Sequence, residues 1–400
     1  MPGFTTDLPI LGHEAGVTIK TKNHVAESTT DKRSSATVPS LSEPKSRNTK
    51  RFISGDKATN DANRRQHMCQ KLVSKVVKTD SEWQRSLVLS AVVDADNYIY
   101  YVPMYVLYAL EAYPSYFVAI YVNGRISERL WRLMKQLPNQ RWCMEENHER
   151  GTRLKSVPSL SRFLLADDFI KQFRYAYFGD IDIAILPPNK DEPSLLDGHL
   201  DHMKEMSLPY SNVRRQVNKP LCKKDESKWR KHRVACNRIT GLHFIETGPW
   251  FKATGATIKE YRGTIKKIGS ADFCGKVMRV EDPFYCDEAM LYTLIEKGGL
   301  SLPTSHFRPK HGLHVHKYAN PWYVSKNEVN QKEVQQFLDV AAKHEQLMTN
   351  LQILGSGSYM STFISRIIER EGSNRPDFLT KKAKHEEEAA AEYQQTRTNK

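Results

Sequence analysis

Nowhere does the 400-residue chain run for about 18 consecutive apolar residues, so the sequence predicts no membrane-spanning helix. Its first twenty residues lack a charged segment leading into an apolar one, and no secretory signal is expected. The six cysteines show no Cys-x-x-Cys spacing. That argues against a zinc ribbon and a disulfide scaffold, and for reduced thiols in a cytoplasmic setting. No Gly-x-Ser-x-Gly elbow and no Walker phosphate loop occurs. Gly255, Gly263, Gly269 and Gly275 are spaced too irregularly for a dinucleotide fingerprint. Acidic residues are in short supply, 46 Asp and Glu against 60 Lys and Arg, which gives a net charge of +14.

Much of that excess lies in two places. Residues 1–80 hold 14 basic and 8 acidic residues in a polar stretch with little hydrophobic periodicity, and are expected to stay disordered. Between Arg214 and Arg233, nine Lys or Arg meet only Asp225 and Glu226. A nucleic-acid surface interleaves cations with aromatic rings, and this segment has only Trp229, so no nucleic-acid partner is expected. A solvated loop, steering of an anionic small molecule and peripheral contact with an anionic membrane surface all stay open.

From Ser86 onward the pattern changes. Leu87–Val93 and Tyr116–Val122 are short apolar runs, each fit for a strand buried on both faces. The aromatic-rich segment Tyr98–Tyr113 between them has helical spacing, and the three together read as a βαβ unit of a parallel sheet. Ser127–Leu137 predicts a helix capped by Ser127, and Ser159–Gln172 a further helix. Phe173–Leu186 then reads as a strand carrying Asp180 and Asp182. Beyond it, Ile239–Ile245 predicts a strand. Trp250–Ile268, Asp287–Lys297, Val329–Met348 and Ser361–Arg370 predict helices. The fold class is therefore α/β: a mixed, mainly parallel sheet flanked by helices. The expected domains are a tail over 1–80, a catalytic domain over 81–325 and a helical appendage with a charged end over 326–400.

Asp180-Ile-Asp182 is the sharpest chemical feature. In a strand, residues two apart point to one side, so the two carboxylates can converge on one cation. Paired carboxylates in an apolar frame are costly unless a metal or a counter-charge balances them. The bland alternative is a strand-end cap. Asp94 and Asp96 form a second such pair at a strand-to-helix turn beside Tyr98, fit either for a nucleotide or for capping the next helix. His306, His311, His314 and His316 lie in one loop. One imidazole would complete an oxygen-rich site for Mn²⁺ or Mg²⁺. His314 is favoured, because Gly312-Leu313 lets the backbone turn toward the acids.

Phe178-Gly-Asp180-Ile-Asp182 resembles the Asp-x-Asp motif of GT-A glycosyltransferases, and the resemblance extends over residues 86 to about 320. It implies a nucleotide-diphospho-sugar donor, most simply a UDP-sugar, held through Mn²⁺ or Mg²⁺. By the same resemblance Asp94, Asp96 and Tyr98 hold the nucleobase and ribose, and Arg162 faces the nucleotide or diphosphate. Asp287 and Glu288 face the transferred sugar, and Gly241-Leu-His-Phe244 lines the sugar and acceptor site with Trp250. The late histidine resembles the one that completes the metal site in glycogenin-like retaining members. Lys317-Tyr-Ala-Asn-Pro321-Trp322 departs from their usual ending, so retention and inversion both stay open. The acceptor is a glycan, a lipid-linked saccharide or a protein. A nucleotidyltransferase or an inactive nucleotide-sugar-binding protein are the rival readings.

Overall fold

Leu87–Asp94 forms β1, whose residues from Leu87 to Val93 are all buried, because helices cover both faces of the sheet. The computed structural model describes Cys69, Ser81 and residues 86–365, apart from 95–97, 139, 147–157, 166–167, 215–237, 281–284, 305–308, 310–311, 316–330, 356–359 and 362–363. The chain divides into Met1–Ile53 and Ser54–Lys400, and all described residues belong to the second unit.

After β1 come α1 (Tyr101–Ala112), β2 (Phe117–Asn123), α2 (Glu128–Met134), β3 (Trp142–Glu146), α3 (Pro158–Phe163) and β4 (Tyr175–Phe178). β5 (Ile183–Ala184), α4 (Leu195–Met206), β6 (Tyr210–Ser211), β7 (His243–Glu246), α5 (Thr247–Ile268) and α6 (Cys286–Lys297) follow. β8 (Leu313–His314), α7 (Gln331–Lys343) and α8 (Glu345–Leu354) complete the order. The main sheet runs β3-β2-β1-β4-β7-β6, parallel through β4, with β7 antiparallel to β4 and β6 antiparallel to β7. The expected mixed, mainly parallel α/β sheet is therefore present, including the βαβ unit.

Strand alternation divides the core into two layers. Leu87, Leu89, Ala91 and Val93 of β1 pack with α1, α2, α4, α7 and α8. Val88 and Val92 face α3, α5 and α6. Burying each of the Leu and Val side chains contributes roughly 1.5–3 kcal/mol, so β1 anchors both layers. α7 and α8 are built into the first layer. The Tyr108 hydroxyl of α1 donates to the Phe337 carbonyl (2.8 Å), and the two rings stack at 4.7 Å. Ser127 caps α2 as expected, accepting from the Leu130 N–H at 3.2 Å.

Several expectations need correction. Phe173–Leu186 is not one strand: β4 ends at Phe178, and Ile183–Ala184 pairs instead with β8 in a separate two-stranded ribbon. The helix expected over Ser159–Gln172 stops at Phe163, and a single 3₁₀ turn returns at Ile170–Gln172. Val329–Met348 is divided at His344 into α7 and α8. Residues 1–68, the basic segment 215–237 and most of 361–370 lie outside the described residues.

The cysteines also differ from expectation. Cys69 is joined to Cys143 of β3, and Cys274 to Cys286. The first pair is 74 residues apart in sequence, so no local spacing could reveal it. The second ties the turn after α5 to the first residue of α6. Closing a loop of this length removes about 2–3 kcal/mol of entropy from the unfolded chain. Peptide mapping without reductant is expected to recover Cys274 and Cys286 as a cross-linked pair, and Cys286→Ser to lower urea-unfolding stability by about that amount.

Candidate active site at the carboxyl edge of the sheet

At the carboxyl ends of β1 and β4 the apolar strands give way to acids, where ligands of open α/β sheets bind. Asp94 closes β1 and is half-buried. The Gly179 N–H donates to the Ser90 carbonyl at 3.1 Å, which extends the β4 register by one residue before the chain turns. Asp180 and Asp182 occupy that turn, with the Ile183 N–H reaching back to the Asp180 carbonyl at 3.4 Å. The carboxylates thus converge through a turn and not through strand alternation.

A second constraint brings in the histidine. In the ribbon, His314 of β8 lies opposite Ile183, and the Val315 N–H donates to the Asp182 carbonyl at 2.9 Å. His314 Nε2 stands 3.8 Å from Asp180 Oδ2, and its Nδ1 stands 3.7 Å from Asp182 Oδ2. One ligand atom from each of the three residues lies within 4.8 Å of the others. That span is a little over twice a typical metal–oxygen distance of about 2.1 Å. Two carboxylates and one imidazole form a donor set that could hold a divalent metal ion. The ribbon depends on Gly312, whose φ of +121° is unfavourable for other residues. A Cβ there would lie 2.1 Å from the Ala184 carbonyl oxygen. His306, His311 and His316 lie outside the described residues.

Arg162 of α3 is buried between two acids. Its guanidinium bonds the Asp180 carboxylate through Nη1 and Asp287 Oδ2 through Nη2, the latter at 2.8 Å. The charge is thus directed at carboxylates rather than left open toward a diphosphate. Gly241 permits this approach, since a Cβ on it would fall 2.5 Å from Arg162 Nη2. Burial pushes the Asp180 carboxyl upward. Arg162 and then His314 outweigh it and hold the group well below the usual carboxylate range.

Asp287 and Glu288 open α6, where two acids complement the helix dipole. Arg238 Nη1 lies 3.4 Å from Glu288 Oε2, and its guanidinium covers the Tyr285 ring at 3.9 Å. Tyr98 is 45 % exposed and stacks on Tyr101 at 5.8 Å. Burial and then the Asp182 charge raise the Tyr101 hydroxyl, while burial and then Asp180 raise that of Tyr105. Arg238, Tyr101 and Tyr105 were not foreseen as site residues. Arg238 had a weak signal, following a basic run, whereas the tyrosines read as helix core. Asp96 lies outside the described residues.

His243, Phe244 and Trp250 do not line a groove: all three are 2 % exposed or less. His243 packs against Phe163, Tyr210 and Trp250. Asn212 Oδ1 accepts from the Val213 N–H (2.7 Å) and Thr240 hydroxyl (2.6 Å), so its amide N–H donates to His243 Nδ1 at 3.1 Å. The imidazole proton therefore sits on Nε2. Burial, with a smaller contribution from Arg162, pushes the His243 pKa down to about 3.

Gly312→Ala is expected to displace β8 and weaken Mn²⁺ affinity tenfold or more by calorimetry. Gly248→Ala, with nothing within 4 Å of the added methyl, leaves affinity unchanged. The depressed His243 pKa means that the unfolded chain takes up a proton below about 6.5 that the folded chain refuses until about 3. Stability should therefore fall with acid across that window by about 1.4 kcal/mol per pH unit from this group. His243→Gln should flatten the slope of the urea midpoint against pH by that amount, whatever its effect at neutral pH.

No family model and no curated protein matches the chain. Among solved structures, an active-site mutant of LgtC aligns at 14% identity, covering 64% of this chain and 95% of that one, with a TM-score of 0.31. The galactosyltransferase LgtC in complex with donor and acceptor sugar analogues aligns at 13% identity over 51% of this chain and 83% of that one, with a TM-score of 0.26. The bifunctional glycosyltransferase WbbM aligns at 13% identity over 71% of this chain, with a TM-score of 0.37, and this chain spans about half of its length, 51%.

Proposed function

We propose that the chain is a metal-dependent glycosyltransferase that moves a sugar from a nucleotide-diphospho-sugar, such as a UDP-sugar, to a glycan, lipid-linked or protein acceptor. The convergence of Asp180, Asp182 and His314 at the carboxyl edge of the sheet carries this reading. These three residues would hold Mn²⁺ or Mg²⁺, which when bound neutralises charge on a leaving nucleoside diphosphate. Asp94 and the exposed ring of Tyr98 are suited to the ribose and the base. Asp287, bonded to Arg162, and Glu288, facing Arg238, would orient the sugar hydroxyls. Glu288 would serve as base toward the acceptor if the reaction inverts. A nucleotidyltransferase is less well supported, since Asp94–Tyr101 contains no glycine for a phosphate loop.

Among the described residues no helix is long and apolar enough to cross a membrane. Two disulfides among the described residues favour an oxidising compartment over the cytoplasmic one expected from the sequence.

Purified full chain with Mn²⁺ and a panel of nucleotide-sugars should hydrolyse or transfer from at least one donor. Asp182→Ala should reduce that turnover at least a hundredfold and abolish metal-dependent donor binding. A protein that binds no donor with or without metal would refute the assignment.

A further inference from the structure

The surface of α5 away from the active-site edge carries a feature the proposed chemistry does not use. A cavity of about 520 Å³ lies along it, walled by Lys171, Lys259, Arg262 and Lys266 and floored in part by Phe251. No carboxylate lines it. Asp168 pairs with Lys171 at 3.0 Å from one side. Glu260, the neighbour of Lys259, turns to Lys297 of α6 at 3.5 Å. Lys259 and Lys266 are exposed, and Arg262 is anchored by donating to the Leu164 carbonyl at 3.0 Å. Like charges brought together along one helix face repel one another, and here the field is left open to solvent.

Two lining positions on the helix have no side chain. Gly255 and Gly263 lie eight residues apart, and a Cβ at either would meet nothing within 4 Å. Each interior helical glycine costs about 1 kcal/mol relative to alanine, with no packing here that requires it. What the two glycines provide is room for a ligand to approach the helix between the basic walls. From Phe251 to Lys266 the face extends for about 22 Å at 1.5 Å per residue. The lining is mostly apolar, with charged heads at its rim and Phe251 among its residues.

We propose that this groove is a second binding site, separate from the Asp180–Asp182 edge, for an anionic oligosaccharide: a chain of several sugars bearing carboxylate or sulfate groups. The exposed cations Lys259 and Lys266 match the repeated negative charges, and Gly255 and Gly263 admit the chain close to the helix, while at one end the Lys171 ammonium lies over the Phe251 ring at 5.7 Å. A planar lipid surface would not fill a concavity, and a single-stranded nucleic acid would call for several stacking rings where there is one. The choice of a glycan rests on the glycosyltransferase reading, in which such a site would hold a growing or acidic acceptor away from the reacting end.

The test is direct binding of a heparin hexasaccharide to the full-length protein, by calorimetry, in the absence of donor. Lys259→Gln/Lys266→Gln should weaken binding at least tenfold, and Gly263→Leu, which fills the groove while keeping every charge, should do the same. Lys190→Gln/Lys276→Gln removes equal charge elsewhere and should change affinity less than twofold. Unchanged binding in the groove variants, or an equal loss in the Lys190/Lys276 control, overturns the proposal. Tighter groove-dependent binding of phosphatidylserine vesicles or of an oligothymidylate also overturns it, in favour of that occupant. Asp182→Ala should bind the hexasaccharide normally, so failure of the donor site and failure of this groove are told apart.

Discussion

The buried guanidinium of Arg162 is the contact on which the candidate site depends. It is shared by Asp180, from the turn after β4, and by Asp287, from the first turn of α6. Asp287 is buried and Asp180 half-buried, and without the shared cation two like charges from distant parts of the chain would repel each other there. The arrangement fixes three elements at once. α3 supplies the cation, β4 delivers one acid and α6 the other, while Gly241 leaves the space in which they meet. The Cys274–Cys286 disulfide holds the start of α6 from the other side, one residue before Asp287.

The same edge brings His314 close to both acids. Arg162 bonds Asp180, and His314 stands between Asp180 and Asp182 at distances too long for direct hydrogen bonds. The β5–β8 ribbon sets that spacing through the backbone, and the Gly312 conformation sets the ribbon. The backbones of Asp182 and His314 are therefore placed by main-chain pairing.

The parts of the fold with local causes were legible. β1, α1 and β2 follow from apolar runs and helical spacing, and the Ser127 cap from a serine before an amphipathic segment. Asp180, Asp182 and His314 were picked out by residue type and order, and the structure brings these three together. What escaped was non-local. Burial on both sides gives the same apolar signature to β4 and to β5, so the break between them was hidden in one continuous run. The disulfides join residues with no spacing rule. His243 and Trp250 looked like groove residues because their chemistry suits one, yet packing against Phe163 and Tyr210 places them inside.

The α/β class, the parallel order of the first strands and the residue types at the candidate site follow from periodicity and short motifs alone. That Arg162 is shared by two acids, that His314 reaches them through a ribbon, and that Lys171 and α5 line one groove came only from packing. Those outcomes depend on which surfaces meet after the chain has folded, and no local pattern encodes the distance between residues 162 and 287 or between 182 and 314.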